Sequence, residues 1–155
     1  MSNQHISGLD ALRTLAITGV TFFHMFPDTI RGGYLGVSLF FVLTGYLLAY
    51  TSETDWLAGK FGVLRYYGKR IKRIYPSLLI VLLTTIGIYH LLAPRVISAI
   101  RPEVLSVLLG YNNWWQISQN ADYFTRLTNT SPFTHLWFLG IELQYYLIWP
   151  LLFLI

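Results

Sequence analysis

Five stretches of the chain are apolar over most of their length, and polar clusters separate them. The first, GLDALRTLAITGVTFFHM, runs from Gly8 to Met25 and ends in turn chemistry at Pro27, Asp28 and Gly32-Gly33. The second runs from Gly33 to Tyr50, where Gly36 and Gly45 invite close helix approach. A polar connector, Thr51 to Tyr75, leads to the third, Pro76 to Leu92, with Pro76 suited to a first helical turn. The fourth, within 103–117, is shorter and interrupted by Asn112 and Asn113, so it is either re-entrant or spanning. A polar loop from Gln116 to Ser131 precedes the fifth, Pro132 to Ile155. A crossing helix needs about 20 apolar residues. The pattern therefore predicts an all-α, polytopic transmembrane helix bundle with roughly five hydrophobic segments.

Charge orients it. The connector holds Lys60, Arg65, Lys69, Arg70, Lys72 and Arg73, six of the eleven lysines and arginines. The positive-inside rule puts this connector, and with it the N-terminus, in the cytoplasm. Topology and lipid headgroups alone would account for such a cluster. Of the 155 residues, 54% are hydrophobic and only 12% charged, against about 25% charged in a soluble domain. No cysteine is present, which excludes disulfides and thiolate metal sites. The first apolar run has no basic region before it and a charge within it, so it is not expected to be a cleaved signal. The chain ends WPLLFLI, inside an apolar segment, and is expected to be the N-terminal part, residues 1–155, of a longer membrane domain.

Three ionisable groups stand out against this background. Arg13 and His24 lie eleven residues apart, about three turns plus 20°, so they share one helix face about 16 Å apart along the axis. Asp10 lies a turn below Arg13. Ionisable residues inside a bilayer are functional hypotheses by default, although a snorkelling arginine and an interfacial histidine give the same spacing. Glu142, seven residues after His135, is the third; in hydrocarbon it must be protonated or paired. His5 and His90 have no companions at ligand spacing, and no metal site is expected.

The residues resemble a family. GLDALRTLAITGVTFFH carries the Arg-(ten residues)-His pattern of the integral-membrane acyltransferase family 3, as Arg13 and His24. GGYLGVSLFFVLTGYLL is similar to its Gly-rich second helix, with Thr44 where a serine is usual. YYGKRIKRIYP carries its Arg-x-x-Arg before a proline, as Arg70, Arg73 and Pro76. HLWFLGIELQYYLIWP resembles its Leu-Trp … Glu-Glu … Trp-Pro segment, with the paired glutamates reduced to Glu142-Leu143.

The resemblance implies a domain of about ten helices in the plasma (inner) membrane. It implies an O-acetyltransferase that moves an acetyl or other acyl group from cytoplasmic acyl-CoA to a hydroxyl of an extracytoplasmic glycan, such as peptidoglycan or a surface polysaccharide. The donor expected is acetyl-CoA, with no metal and no nucleic acid. Arg13, Arg70 and Arg73 would hold the donor's phosphates, to which guanidinium forks are suited. The pantetheine arm would run along the face from Arg13 to His24. His24 would act as general base or as nucleophile, with Glu142 orienting it. Two other classes compete: a transporter or flippase using Arg13, His24 and Glu142 as a substrate or proton relay, and a scaffold whose polar residues join helices. The Arg-x-x-Arg cluster favours the enzyme, because a proton relay needs no phosphate-binding groups.

Overall fold

The computed structural model describes residues 7–26, 28–29, 32–119 and 131–155. His5, Pro27 and, of the expected Gln116–Ser131 loop, residues 120–130 lie outside the described residues. The described elements are helical: α1 (Ser7–Met25), α2 (Leu35–Leu57), α3 (Val63–Leu92), a 3₁₀ turn (Pro94–Val96), α4 (Ile97–Leu108), α5 (Asn112–Ser118), a second 3₁₀ turn (Thr134–Leu136) and α6 (Trp137–Leu154). The chain divides into two compact units, residues 1–60 and 61–155.

Three described helices are long and apolar enough to cross a membrane: Leu35–Leu57, Val63–Leu92 and Thr134–Leu154. Only 11–17% of their most apolar windows is buried within the chain, which leaves rows of leucine, isoleucine and valine exposed. In water such faces are rare on a monomer; lipid or further helices suit them. Of the roughly five segments expected, these three stand out by length and hydropathy among the described residues. The first stretch forms α1, of sufficient length, but with Asp10, Arg13 and His24 in it its mean hydropathy falls short. The fourth breaks in two at Gly110, whose φ of 75° only glycine adopts cheaply. Tyr111 N–H turns back to the Ser106 carbonyl there, at 2.9 Å, closing α4 before α5 begins.

The connector is also not a loop. α2 extends to Leu57 and α3 starts at Val63, so of its six basic residues only Lys60 lies between helices. Pro76 sits inside α3 rather than in its first turn. An internal proline costs about 3 kcal/mol, and tertiary bonds on the N-terminal side offset it. Tyr66 and Tyr67 hydroxyls donate to the Tyr146 and Leu147 carbonyls of α6, at 3.2 and 2.8 Å. Tyr75 donates to the Leu108 carbonyl at the end of α4, at 3.0 Å.

In the first unit α1 and α2 pack through small residues. A Cβ on Gly36 would stand 2.6 Å from the Ala16 carbonyl oxygen and 2.8 Å from Val20 Cγ2, so only glycine permits this approach. The expected close packing at Gly36 is present, and Gly33 beside Gly19 adds to it. In the second unit the buried core is Leu78 and Leu82 of α3, Ile100 and Val107 of α4, and Phe133. This core fixes α3, α4 and α6 relative to one another, and so places the groups described next.

Candidate active site

Arg70 lies one turn beyond Tyr66 on α3, and Tyr146 one turn beyond Glu142 on α6. Helical i,i+4 spacing makes each pair neighbours on its own surface. Between the two helices the four side chains meet. The Arg70 guanidinium carbon is 5.3 Å from the centre of the Tyr66 ring and 5.2 Å from that of Tyr146. Both rings are buried, and both distances are within the range of cation–π attraction. The Tyr146 hydroxyl donates to Glu142 Oε1 at 2.6 Å. Two residues singled out in the sequence for different tasks, Arg70 for the donor and Glu142 for the chemistry, are thus joined through one tyrosine.

A cavity of about 220 Å³ opens beside Arg70, walled by Tyr67, Tyr75, Gly110, Gln144 and Tyr146 among others. Gln144 holds its far wall. Its Nε2 donates to the Gly110 carbonyl at 2.9 Å and to Asn113 Oδ1 at 2.8 Å, and its Oε1 accepts from Trp114 Nε1 at 3.2 Å. The α4–α5 turn is thereby tied to α6 by these three hydrogen bonds of one side chain.

The remaining predicted residues are placed as follows. Arg73 is exposed, one turn along α3 from Arg70, with Lys69 and Lys72 also exposed. Arg13 lies on α1 in the first unit, where its Nη1 meets Asp10 Oδ1 at 3.2 Å. His24 is exposed near the end of the same helix. Because α1 is unbroken from Ser7 to Met25, the eleven-residue spacing keeps Arg13 and His24 on one stripe about 16 Å apart. His135 falls in the 3₁₀ turn before α6, so the α-helical register that aligned it with Glu142 does not apply.

Sequence reasoning passed over Tyr66 and Tyr146, though the i,i+4 spacings Tyr66–Arg70 and Glu142–Tyr146 are visible in it. It also passed over a buried polar cluster around Glu103, which is 2% exposed. Ser131 Oγ donates to Glu103 Oε2, Ser106 Oγ lies 2.9 Å from Asn112 Oδ1, and Gln116 Nε2 donates to the Thr134 carbonyl at 2.8 Å. Burial pushes the Glu103 carboxyl above its ordinary range, and the Ser131 hydrogen bond offsets part of that. Among the described residues no three His, Cys, Asp or Glu side chains converge as metal ligands would.

The profile of an acyltransferase domain, that of acyltransferase family 3, matches residues 6–155. The chain belongs to acyltransferase family 3. Its curated relatives include the O-acetyltransferase OatA of Staphylococcus aureus (strain NCTC 8325 / PS 47), 34% identical over 151 residues, which cover 97% of this chain and 25% of that protein. The peptidoglycan O-acetyltransferase OatA of Listeria monocytogenes serovar 1/2a is 31% identical over 150 residues, 96% of this chain and 24% of that protein. The putative peptidoglycan O-acetyltransferase YrhL of Bacillus subtilis (strain 168) is 33% identical, with 96% of this chain and 24% of that protein covered. The chain spans about a quarter of the length of these relatives. No solved structure matches it.

The family 3 resemblance of the sequence is therefore shown, and the Arg-x-x-Arg motif acquires a geometry. One arginine, Arg70, is held between two rings beside a cavity, while the other, Arg73, projects from the same helix.

Proposed function

We propose that this chain is the donor-handling and reacting part of a membrane O-acetyltransferase. It takes acetyl from cytoplasmic acetyl-CoA and passes it to a hydroxyl of peptidoglycan or another extracytoplasmic glycan. The protein would sit in the plasma membrane with its N-terminus cytoplasmic, as the basic run from Lys60 to Arg73 favours. The observation that carries the reading is Arg70, caged by Tyr66 and Tyr146 and linked through Tyr146 to Glu142, in a chain whose relatives are named O-acetyltransferases.

The residues fit such a donor. A guanidinium restrained beside two rings suits phosphate recognition, and exposed Lys69, Lys72 and Arg73 add attraction for the anionic nucleotide end of CoA. In the reaction the thioester C–S bond breaks and an ester C–O bond forms. The acceptor's hydroxyl proton goes to neutral His24 acting as general base, or His24 first carries the acetyl group as nucleophile. The proton leaves with the CoA thiol. Glu142 would hold the acceptor hydroxyl in place. Arg13 would meet the donor below His24, exchanging part of its Asp10 pairing for it.

The test is transfer of labelled acetyl from acetyl-CoA to glycan by membranes carrying the protein. Label should appear in alkali-labile esters and vanish with His24→Gln, because an amide accepts no proton at neutral pH. A transporter built on the same three groups would turn over no acetyl-CoA, and that result would overturn the proposal.

A further inference from the structure

Resting on that reading, we propose that Tyr146 is a positioning residue with two separable tasks: its ring seats the donor-binding Arg70, and its hydroxyl sets the Glu142 carboxyl. Neither task requires contact with substrate. The ring is 7% exposed, flanked by the Arg70 guanidinium 5.2 Å away. The hydroxyl reaches back one turn of α6 to Glu142 Oε1, at 2.6 Å.

The arrangement limits motion at both ends. A long arginine side chain in water samples many rotamers, and ordering it on binding costs affinity. Between the Tyr66 and Tyr146 rings that freedom is already reduced before the donor arrives. The Tyr66 ring is itself held in place, since its hydroxyl donates to the Tyr146 main-chain carbonyl at 3.2 Å. Glu142 is half-buried in an apolar helix, where a carboxyl without a donor would be costly. A hydrogen bond from the next turn of the same helix selects one rotation of the carboxyl.

Substitutions separate the tasks. Tyr146→Phe keeps the ring and deletes the hydroxyl, so kcat should fall about tenfold or more, the scale of a hydrogen bond to a charged group, while the KM for acetyl-CoA stays within about twofold. Tyr146→Leu deletes both, so KM should also rise, roughly threefold to tenfold, the scale of a partly desolvated cation–π contact. Because Tyr146→Phe acts through Glu142, adding it to Glu142→Gln should lower the residual rate no further. The same four variants, compared by melting temperature in detergent, should show a coupling between the two positions that needs no activity to be measured.

Wild-type kcat in Tyr146→Phe, or independent losses from positions 142 and 146 in both rate and melting temperature, would overturn the proposal. So would an unchanged KM in Tyr146→Leu. Arg70→Gln tests the donor reading by itself. If its acetyl-CoA KM equals that of wild type, Arg70 does not hold the donor, and the thermal coupling between Tyr146 and Glu142 still decides whether the hydroxyl sets the carboxyl.

Discussion

Tyr146 and Glu142 stand one turn apart on α6 and share a hydrogen bond of 2.6 Å, with the Arg70 guanidinium over the tyrosine's ring. The tyrosine thus touches both the cation, through its ring, and the carboxyl, through its hydroxyl. It also separates the two arginines of the motif, since Arg70 is caged and Arg73 is exposed.

Arg70 and Arg73 should consequently fail by different amounts. Arg70→Gln should raise the acetyl-CoA KM about tenfold to a hundredfold, the scale of a desolvated charge-assisted hydrogen bond. Arg70→Lys should recover only part, because an ammonium neither stacks between rings nor offers a fork. Arg73→Gln, at a screened surface position, should cost no more than about fivefold. Steady-state titration of acetyl-CoA on washed membranes ranks the three, and equal losses at 70 and 73 would refute the cage as the source of the difference.

The α1–α2 crossing should be intolerant of side chains at Gly36. Leucine there would drive its Cβ into the Ala16 carbonyl and Val20, and the helices would have to separate, at a cost of about 1–3 kcal/mol or more. Gly87→Ala on α3 is the control, because an added Cβ there meets nothing within 4 Å. It should be neutral or stabilising by up to about 1 kcal/mol. Melting temperatures in detergent check both, and a Gly36→Leu protein as stable as wild type would contradict the packing.

How far the sequence carried is clear from particular positions. Apolar periodicity located α2, the apolar part of α3 and α6, because hydrophobic runs report helices directly. It misplaced the start of α3, because Pro76 looks like a helix beginning and the tyrosine hydroxyls that hold residues 63–75 in helix bond to elements some 30 to 80 residues away. Gly110 was unread as the break in the fourth stretch, although a left-handed glycine closed by the local Tyr111 N–H to Ser106 carbonyl bond is an ordinary helix ending. Arg70 and Glu142 stand out in the sequence but their shared tyrosine does not, since α3 and α6 meet through bonds from Tyr66 and Tyr67 to the Tyr146 and Leu147 carbonyls, 80 residues away, rather than by local spacing.

Glu103 should make stability depend on pH. Its carboxyl is raised in the folded protein by burial, so the folded state keeps this proton to higher pH than the unfolded chain does. Stability from this group is complete in acid, below the ordinary carboxylate range, and is lost as pH rises through the raised value. Glu103→Gln keeps an acceptor for Ser131 without the charge, so the variant should gain on wild type as pH climbs from about 4 to 8. Melting temperatures of both proteins across that range decide it; a difference that does not change with pH would mean the buried carboxyl carries no such penalty.

The stripe on α1 makes a sharper demand, because it claims that one helix face measures the distance from donor phosphates to the reacting imidazole. One alanine inserted between Thr18 and Gly19 turns His24 by ~100° relative to Arg13 and lengthens the track by only about 1.5 Å. Four alanines turn it by a net ~40° and lengthen it by about 6 Å. Ala16, which packs over Gly36, shifts with Arg13 in both cases, and by less in angle with four residues than with one. Gel filtration with a fluorescent tag therefore has to show assembled protein before activity is compared. If facing governs, the single insertion is the worse lesion; if the donor's reach governs, the fourfold insertion is at least as damaging, because the thioester stops about a turn short of His24. Assembled variants that both transfer acetyl at the wild-type rate would show that Arg13 and His24 need no fixed relation, and the track along α1 would have to be abandoned.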